Sequence, residues 1–578
     1  MNDEPIWYKN YPENVPKTLD YPLKSLADVL IENAREFPNN PALLLAGKQF
    51  HTTRITYEQL NRFSTNFAKH LHKLGIQKGD RVALFLPNFP EFVIAFYGIQ
   101  KLGAIVAPLN IMFTLKELEY HIKDSRAKIV VTINVKSGEH AFLDLIHTVA
   151  QNVGQLDHII VASIKPYIGK VKGFLGGLLG KIVKLNPDDI PFERMIQDDE
   201  TISYPEPKFD PKTDVAMIPY TGGTTGLPKG VMLTHWNLLT NCYAALHWMI
   251  PIYNGLPEKG IHRFLAALPL FHLFGGALAM LLPIFLADEI ILVPNPRERK
   301  FTELLELIDT YKPSFLPFVP TGFIALLNHP QFKNYDLKSI DFCLTGAAPL
   351  PVEVMKQFEE ASGSTLLEGW GLTETSPIAS ANTPLNRKIG SVGIPFIDTS
   401  VKIFDLDDKE VELKIGENGE LGIKGPQVMK GYWNKPEETC NVMNNQGYFM
   451  TGDIGHMDDD GFIYIEDRKK DMIIASGFKV FPREVEEYFF EHPEIENVAI
   501  VGIPDKYRGE RPKAFIILKQ GATCTDIDLM EYAKKGLSKY KVPKEIEIRD
   551  SLPLSAVGKV LRRLLREDEK SMLNNNPN

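Results

Sequence analysis

From residue 57 onward helical and strand periods alternate, and this alternation restricts the fold more than any other feature of the chain. Leu60, Phe63, Phe67, Leu71 and Leu74 recur at spacings of three and four, which predicts an amphipathic helix over Tyr57–Leu74. It stops at Gly75, and after Lys78-Gly79-Asp80 the apolar run Val82–Leu86 reads as a buried strand. A helix over Glu91–Leu102, a strand over Ala104–Pro108, a helix over Leu115–Asp124 and a strand over Lys128–Ile133 follow. Strands separated by helices of this length take right-handed crossovers and form a parallel sheet covered on both faces. The expected class is α/β with doubly wound sheets, which bind ligands at the carboxyl ends of their strands.

The pattern changes toward the C-terminus. Around the charged, turn-rich stretch Asp405–Asn418 the strands look shorter and antiparallel. The cluster Asp467-Arg468-Lys469-Lys470-Asp471 separates two apolar runs and marks a boundary. Beyond it a helix (Arg483–Glu491), strands (Val498–Ile503 and Lys513–Leu518), a helix (Asp526–Leu537) and a strand (Glu545–Arg549) predict a small α+β domain. The expected division is a large N-terminal domain of several subdomains over 1–466, a linker over 467–472 and a small mobile domain over 473–578.

With 44% hydrophobic and 24% charged residues the chain is of the globular kind. A net charge of −9 argues against a nucleic-acid binder that relies on bulk positive charge. Cys242, Cys343, Cys440 and Cys524 form no CxxC pair, so zinc and thioredoxin-like readings fail and a reducing, cytoplasmic setting is expected. No secretory signal opens the sequence. From Phe264 to Ala287, 24 residues pass without a charge, long enough to span a bilayer. Pro269, Pro283, His272 and Gly275-Gly276 divide that run, so a buried strand, turn and helix is the expected form. Residues 165–185 place Ile168, Val171, Phe174, Leu175, Leu178, Leu179, Ile182 and Val183 at helical spacing opposite Lys170, Lys181 and Lys184. That pattern suits a helix lying on a membrane surface, or one packed on its own domain.

The segment Tyr220–Gly230 carries the most chemistry. Gly222, Gly223 and Gly226 let the backbone approach a ligand closely, and the hydroxyls of Thr221, Thr224 and Thr225 can donate to phosphate oxygens. Lys229 would bring a point charge to the same anion. A Walker A loop is excluded, because Lys229 follows proline and precedes glycine. GxSxG and HExxH are absent from the sequence, which leaves hydrolase readings without support.

Tyr220–Gly230 resembles the phosphate-binding signature of the adenylate-forming enzymes: acyl-CoA synthetases, luciferases and peptide-synthetase adenylation domains. Leu268–His272, Gly369–Thr375, Tyr448–Asp453, and Asp467–Glu486 with Gly558-Lys559 match the family in the same order. The wording of Tyr220–Gly226 and Asp467–Ile474 looks most like bacterial long-chain fatty-acid–CoA ligases. The resemblance implies that a fatty-acid carboxylate attacks the α-phosphate of ATP, giving acyl-adenylate and pyrophosphate, and that the coenzyme A thiol then displaces AMP.

Residue roles follow from the same likeness. Lys559 matches the lysine that reaches the carboxylate and α-phosphate, Thr373 an α-phosphate contact, and Glu374 the magnesium-associated glutamate. Gly346-Ala347-Ala348 and Glu368-Gly369-Trp370 match the adenine pocket. Trp370 stands where tyrosine is common, so stacking is kept and a phenol hydrogen bond is lost. Asp453 matches the ribose-binding carboxylate, with Arg468 as its second contact. Lys470 takes the hinge position, and Gly477-Phe478-Lys479 the segment that swings in to line the pantetheine channel. His272 matches the histidine beside the acyl carboxylate. The small or adaptable residues Gly275, Gly276, Ala277, Ala279 and Met280, facing Val319–Phe323, would let a long acyl chain pass. Medium-chain or aryl acids are the nearest alternative substrates. A membrane-docked fatty-acid uptake partner is the alternative of another class. Contact with the inner face of a membrane through 165–185 and a homodimer are further expectations.

Overall fold

The computed structural model describes residues 4–575 apart from 49, 138–139, 169–181, 199–201, 222–226, 295–300, 349, 476–477, 506–508 and 556–557. Two nine-stranded sheets form the body. In the first, Thr365–Gly371, Phe342–Thr345, Phe315–Phe318, Arg263–Ala266, Glu289–Leu292 and Pro41–Leu45 run parallel in that order. Antiparallel strands close its two edges. In the second, Val215–Met217, Ile105–Pro108, Arg81–Leu84, Ile129–Ile133 and His158–Ala162 are parallel neighbours. Lys229–Thr234 joins that sheet antiparallel and pairs in turn with Tyr220–Thr221 and Gly431–Tyr432.

The alternation read from residue 57 is borne out. The helix Tyr57–Lys73 opens with a capping box between Thr56 and Gln59 and buries Tyr57, Leu60, Phe67 and Leu71. Leu115–Ser125 begins the same way, with Thr114 and Glu117. The 24-residue apolar run folds as the strand Arg263–Ala266, a turn, and a continuous helical stretch from Leu273 to Phe285 that includes a π-helical turn, nearly all of it buried. Among the described residues no helix is long and apolar enough to cross a membrane.

A four-stranded antiparallel sheet (Ser400–Phe404, Gly419–Lys424, Phe449–Met457 and Ile463–Arg468) leads to the crossing into the last sheet. That five-stranded sheet is built on the long hairpin Ile495–Asp505/Gly509–Leu518, with Glu545–Ile548 parallel to it. The hairpin Ile473–Ala475/Phe478–Val480 and the helix Arg562–Asn575 were not expected from periodicity. The helix Arg562–Asn575 buries Leu565 fully, and ion pairs hold it where an apolar stripe would otherwise be needed. One of them links Glu569 to the buried Lys513 (2.8 Å), which also meets Glu545 (2.7 Å) and Glu547 (2.8 Å).

Most of 165–185 lies outside the described residues. At its start Tyr167 is buried and donates to Glu91 Oε1 (2.8 Å). At its end the helical reading is corrected: Ile182 forms an antiparallel bridge with Val135, and the Val183 amide donates to the Asn134 carbonyl (2.9 Å).

Candidate active site

The carboxyl ends of Phe342–Thr345 and Thr365–Gly371 open into a cavity of about 2240 Å³ between the body and the C-terminal domain. Its floor requires small residues. A Cβ on Gly346 would lie 3.0 Å from the Gly369 carbonyl, and one on Gly371 would lie 1.8 Å from the Pro377 carbonyl. Ala347 takes a left-handed φ of 68° at the mouth of the slot. Glu368 beside it is buried, and burial pushes its carboxyl up to about 7.

Trp370 and Asp453 are joined: the indole N–H donates to Asp453 Oδ2 at 2.8 Å. The phenol hydrogen bond is absent at this position, as tryptophan requires, and the indole supplies a donor of its own. Asp453 pairs with Arg468 across two strands, Nε to Oδ1 at 2.5 Å. Glu374, in the short helix Thr373–Thr375, accepts from the Tyr432 hydroxyl (2.9 Å), and burial raises its carboxyl above the ordinary range. Lys229 crosses the same corner, 2.6 Å from Glu438 and 4.9 Å from the centre of the Tyr432 ring. Thr221 pairs with Lys229 at the base of the loop.

His272, from the body, and Lys559, from the C-terminal domain, both line the cavity. The Phe274 amide donates to His272 Nδ1 (3.3 Å), so the neutral ring carries its proton on Nε2. Burial, with the Lys559 charge second, pushes the imidazole down to about 4. The Ser555 amide donates to the Lys559 carbonyl (2.7 Å). Gly558 before it has φ +74° and packs on Thr321, where an added Cβ would lie 2.4 Å from Oγ1. Lys559 is exposed to the solvent of the cleft it lines; desolvation by the surrounding walls, then Arg468, brings its ammonium down to about 8. The Lys470 ammonium is lowered for the same two reasons.

A depressed lysine loses its charge as pH rises through about 8 instead of 10.5. If the ammonium is the working form, ATP–pyrophosphate exchange should fall about tenfold per pH unit above that point. Lys559→Arg should lack this limb. His272, neutral above about 4, should add none between pH 6 and 10. Identical alkaline limbs in wild type and Lys559→Arg would contradict the assignment.

A family model of AMP-binding enzymes matches residues 30–433, and one of their C-terminal domain matches 484–559. The chain belongs to the AMP-binding enzyme family. A long-chain-fatty-acid–CoA ligase of Bacillus subtilis is 41% identical over 98% of this chain and 99% of its own length. One from Escherichia coli O157:H7 is 36% identical over 99% of each. A solved anthranilate CoA ligase in complex with anthranoyl-AMP superposes with TM-score 0.80 at 26% identity, covering 95% of this chain and 98% of its own.

The expected site residues divide into three sets. Thr221, Lys229, His272, Gly346–Ala348, Glu368–Trp370, Thr373, Glu374, Asp453, Arg468, Lys470 and Lys559 all line the one cavity. Gly222, Gly223, Thr224, Thr225, Gly226 and Gly477 lie outside the described residues. Lys479 does not join the cleft: it is exposed on the hairpin Ile473–Val480, and its neighbour Phe478 stacks on Tyr540 at 4.8 Å.

The small residues after His272 are corrected as well. A Cβ on Gly275 would sit 2.4 Å from the Pro269 carbonyl, and one on Gly276 2.9 Å from that of Leu270. They serve close helix packing; the cavity is lined by Phe271–Phe274 and stops short of 275–280. Pro320 and Thr321 do form a wall, as expected. Sequence reasoning missed Arg562, which bridges Glu486 (2.7 Å), Asp467 (3.5 Å) and Asp471 (3.6 Å) three residues beyond Lys559. The doubled arginine after Gly558-Lys559 was the available signal.

Proposed function

We propose that the protein activates a long-chain fatty acid with ATP and transfers the acyl group to coenzyme A. The carboxylate oxygen bonds to the α-phosphorus, the α–β anhydride breaks and pyrophosphate leaves. The thiol gives up its proton and its sulfur bonds to the acyl carbon, and AMP leaves with the electrons of the broken acyl–oxygen bond of the mixed anhydride. The observation that carries this reading is the gathering of Lys559, His272, Trp370, Asp453 and Glu374 around one cavity. Full-length likeness to long-chain ligases supports the acid class.

Trp370 offers the adenine a face, and Asp453, oriented by both Trp370 and Arg468, offers the ribose hydroxyls an acceptor. Lys559 aims a cation at the charge that develops around phosphorus, inside walls that weaken screening. Neutral His272 can donate from Nε2 to the acid's oxygen. Magnesium fits Glu374: a buried carboxylate above its ordinary pKa gains from a hard cation completed by phosphate oxygens. When bound, the ion would neutralise phosphate charge.

The domain division 1–466, 467–472 and 473–578 belongs to this proposal. The chain crosses between the strands Ile463–Arg468 and Ile473–Ala475, with Lys470 at the joint. Rotation there would withdraw Lys559 and bring Gly477 and Lys479 toward the cleft for the coenzyme A step. Peripheral membrane contact through 165–185 and a homodimer are part of the same reading. An acid panel from acetate to oleate, with 4-coumarate included, tests the substrate class by AMP formation. Oleate and palmitate should give the highest kcat/KM, and a maximum at 4-coumarate would refute the long-chain assignment.

A further inference from the structure

The helix Leu115–Ser125 reaches the shoulders of the Tyr220–Gly230 segment from outside. Tyr120 and Asp124 stand four residues apart, on one helical face. The Tyr120 hydroxyl donates to the Pro228 carbonyl at 2.7 Å, and the Tyr220 hydroxyl donates to Asp124 Oδ2 at 2.7 Å. One turn of helix therefore holds the segment on both sides, 220 and 228. Burial, with Asp124 next, raises the Tyr220 phenol far above its ordinary value, so it remains a donor throughout the neutral range. His121 fills the gap between these bonds. Its ring stacks on Phe113 (4.2 Å between centres), meets Tyr220 edge-on (4.6 Å), and its Nδ1 is 2.6 Å from the Glu117 carbonyl.

The same helix also reaches Glu374. The Trp433 indole donates to the Asp124 carbonyl (3.0 Å). Its neighbour Tyr432 pairs with Val231 in the strand that leaves the segment, and the Tyr432 hydroxyl holds Glu374. Two shoulders and one carboxylate of the cleft thus share a support in which Tyr120 and Asp124 touch no substrate position.

We infer that Tyr120 and Asp124 are positioning residues for the nucleotide: they hold Pro228 and Tyr220, on either side of the glycine- and threonine-rich stretch, and so set the affinity for ATP. The inference rests on the reading of the cleft as a nucleotide site. Removing the Asp124 carboxylate takes the acceptor from the half-buried Tyr220 hydroxyl and frees one shoulder.

Equilibrium dialysis of magnesium-ATP against the full chain tests it. Asp124→Ala should weaken binding about tenfold and Tyr120→Phe about fivefold, the size expected for one lost half-buried hydrogen bond. Asp124→Asn, which keeps an acceptor oxygen, should return to within about threefold of wild type. The KM for the acid and for coenzyme A should stay within about twofold. Wild-type ATP affinity in all three variants would overturn the inference and leave the nucleotide site standing. Asparagine as damaging as alanine, with acid affinity falling in step, would overturn it in favour of general destabilisation. Failure of the wild type to bind ATP would overturn both.

Discussion

Lys559→Ala should lose fatty-acid-dependent ATP–pyrophosphate exchange by at least about 10²-fold, the scale for removing one preorganised charge from a transition state. Its ammonium is held at the cleft by a turn that docks through Gly558 on Thr321. Its charge helps lower the His272 imidazole, and Arg468 and Asp453 act in turn on the lysine, all four lining one cavity. Acid and ATP should still bind, because Trp370, Asp453 and the floor of the slot belong to the body. The loss should therefore appear in the rate, with KM values changed little. Normal exchange in a folded Lys559→Ala protein would remove the lysine from the chemistry.

The second large effect is expected at Lys470, and it should divide the two half-reactions. Proline there fixes φ near −65° and restricts Lys469 as well, so the joint loses the freedom that a rotation needs. Thioester formation from preformed acyl-adenylate should slow by at least about tenfold, a size typical when a conformational step becomes limiting. Adenylation should change far less. Because the Lys470 ammonium also feels Arg468, Asp471, Asp453 and Glu374, Lys470→Ala separates charge from backbone. The alanine variant should retain thioester formation better than proline does. Equal losses in alanine and proline, or in both half-reactions, would count against a hinge.

The sequence revealed most where a period or a motif reports on neighbours along the chain. The helix Tyr57–Lys73 and the strand Arg81–Leu84 were legible because each buries a regular apolar pattern, one stripe on the helix and a continuous run in the strand. The order of motifs was legible too, and the cavity draws together residues from Thr221 to Lys559. Contacts made across the fold were not. Nothing near Trp370 announces that Asp453, 83 residues later, accepts its indole proton. Arg562–Asn575 escaped notice because Arg562, Arg566 and Glu569 hold it by charge, through partners on other elements. Gly275 and Gly276 illustrate the opposite error. Small size suggested space, whereas in the fold it lets helix and backbone touch. The Tyr120–Asp124 support was hidden for a related reason. Its residues lie on a helix whose amphipathic pattern alone was enough to explain them.

The central claim is that one cleft makes an acyl-adenylate and then an acyl-CoA. Mass spectrometry of the products from oleate, ATP and magnesium, first without and then with coenzyme A, tests it most directly. Oleoyl-AMP and pyrophosphate should form in the first mixture, and oleoyl-CoA with one AMP per ATP consumed in the second. ADP as the product, or no acyl-adenylate and no oleoyl-CoA with the folded protein, would contradict it.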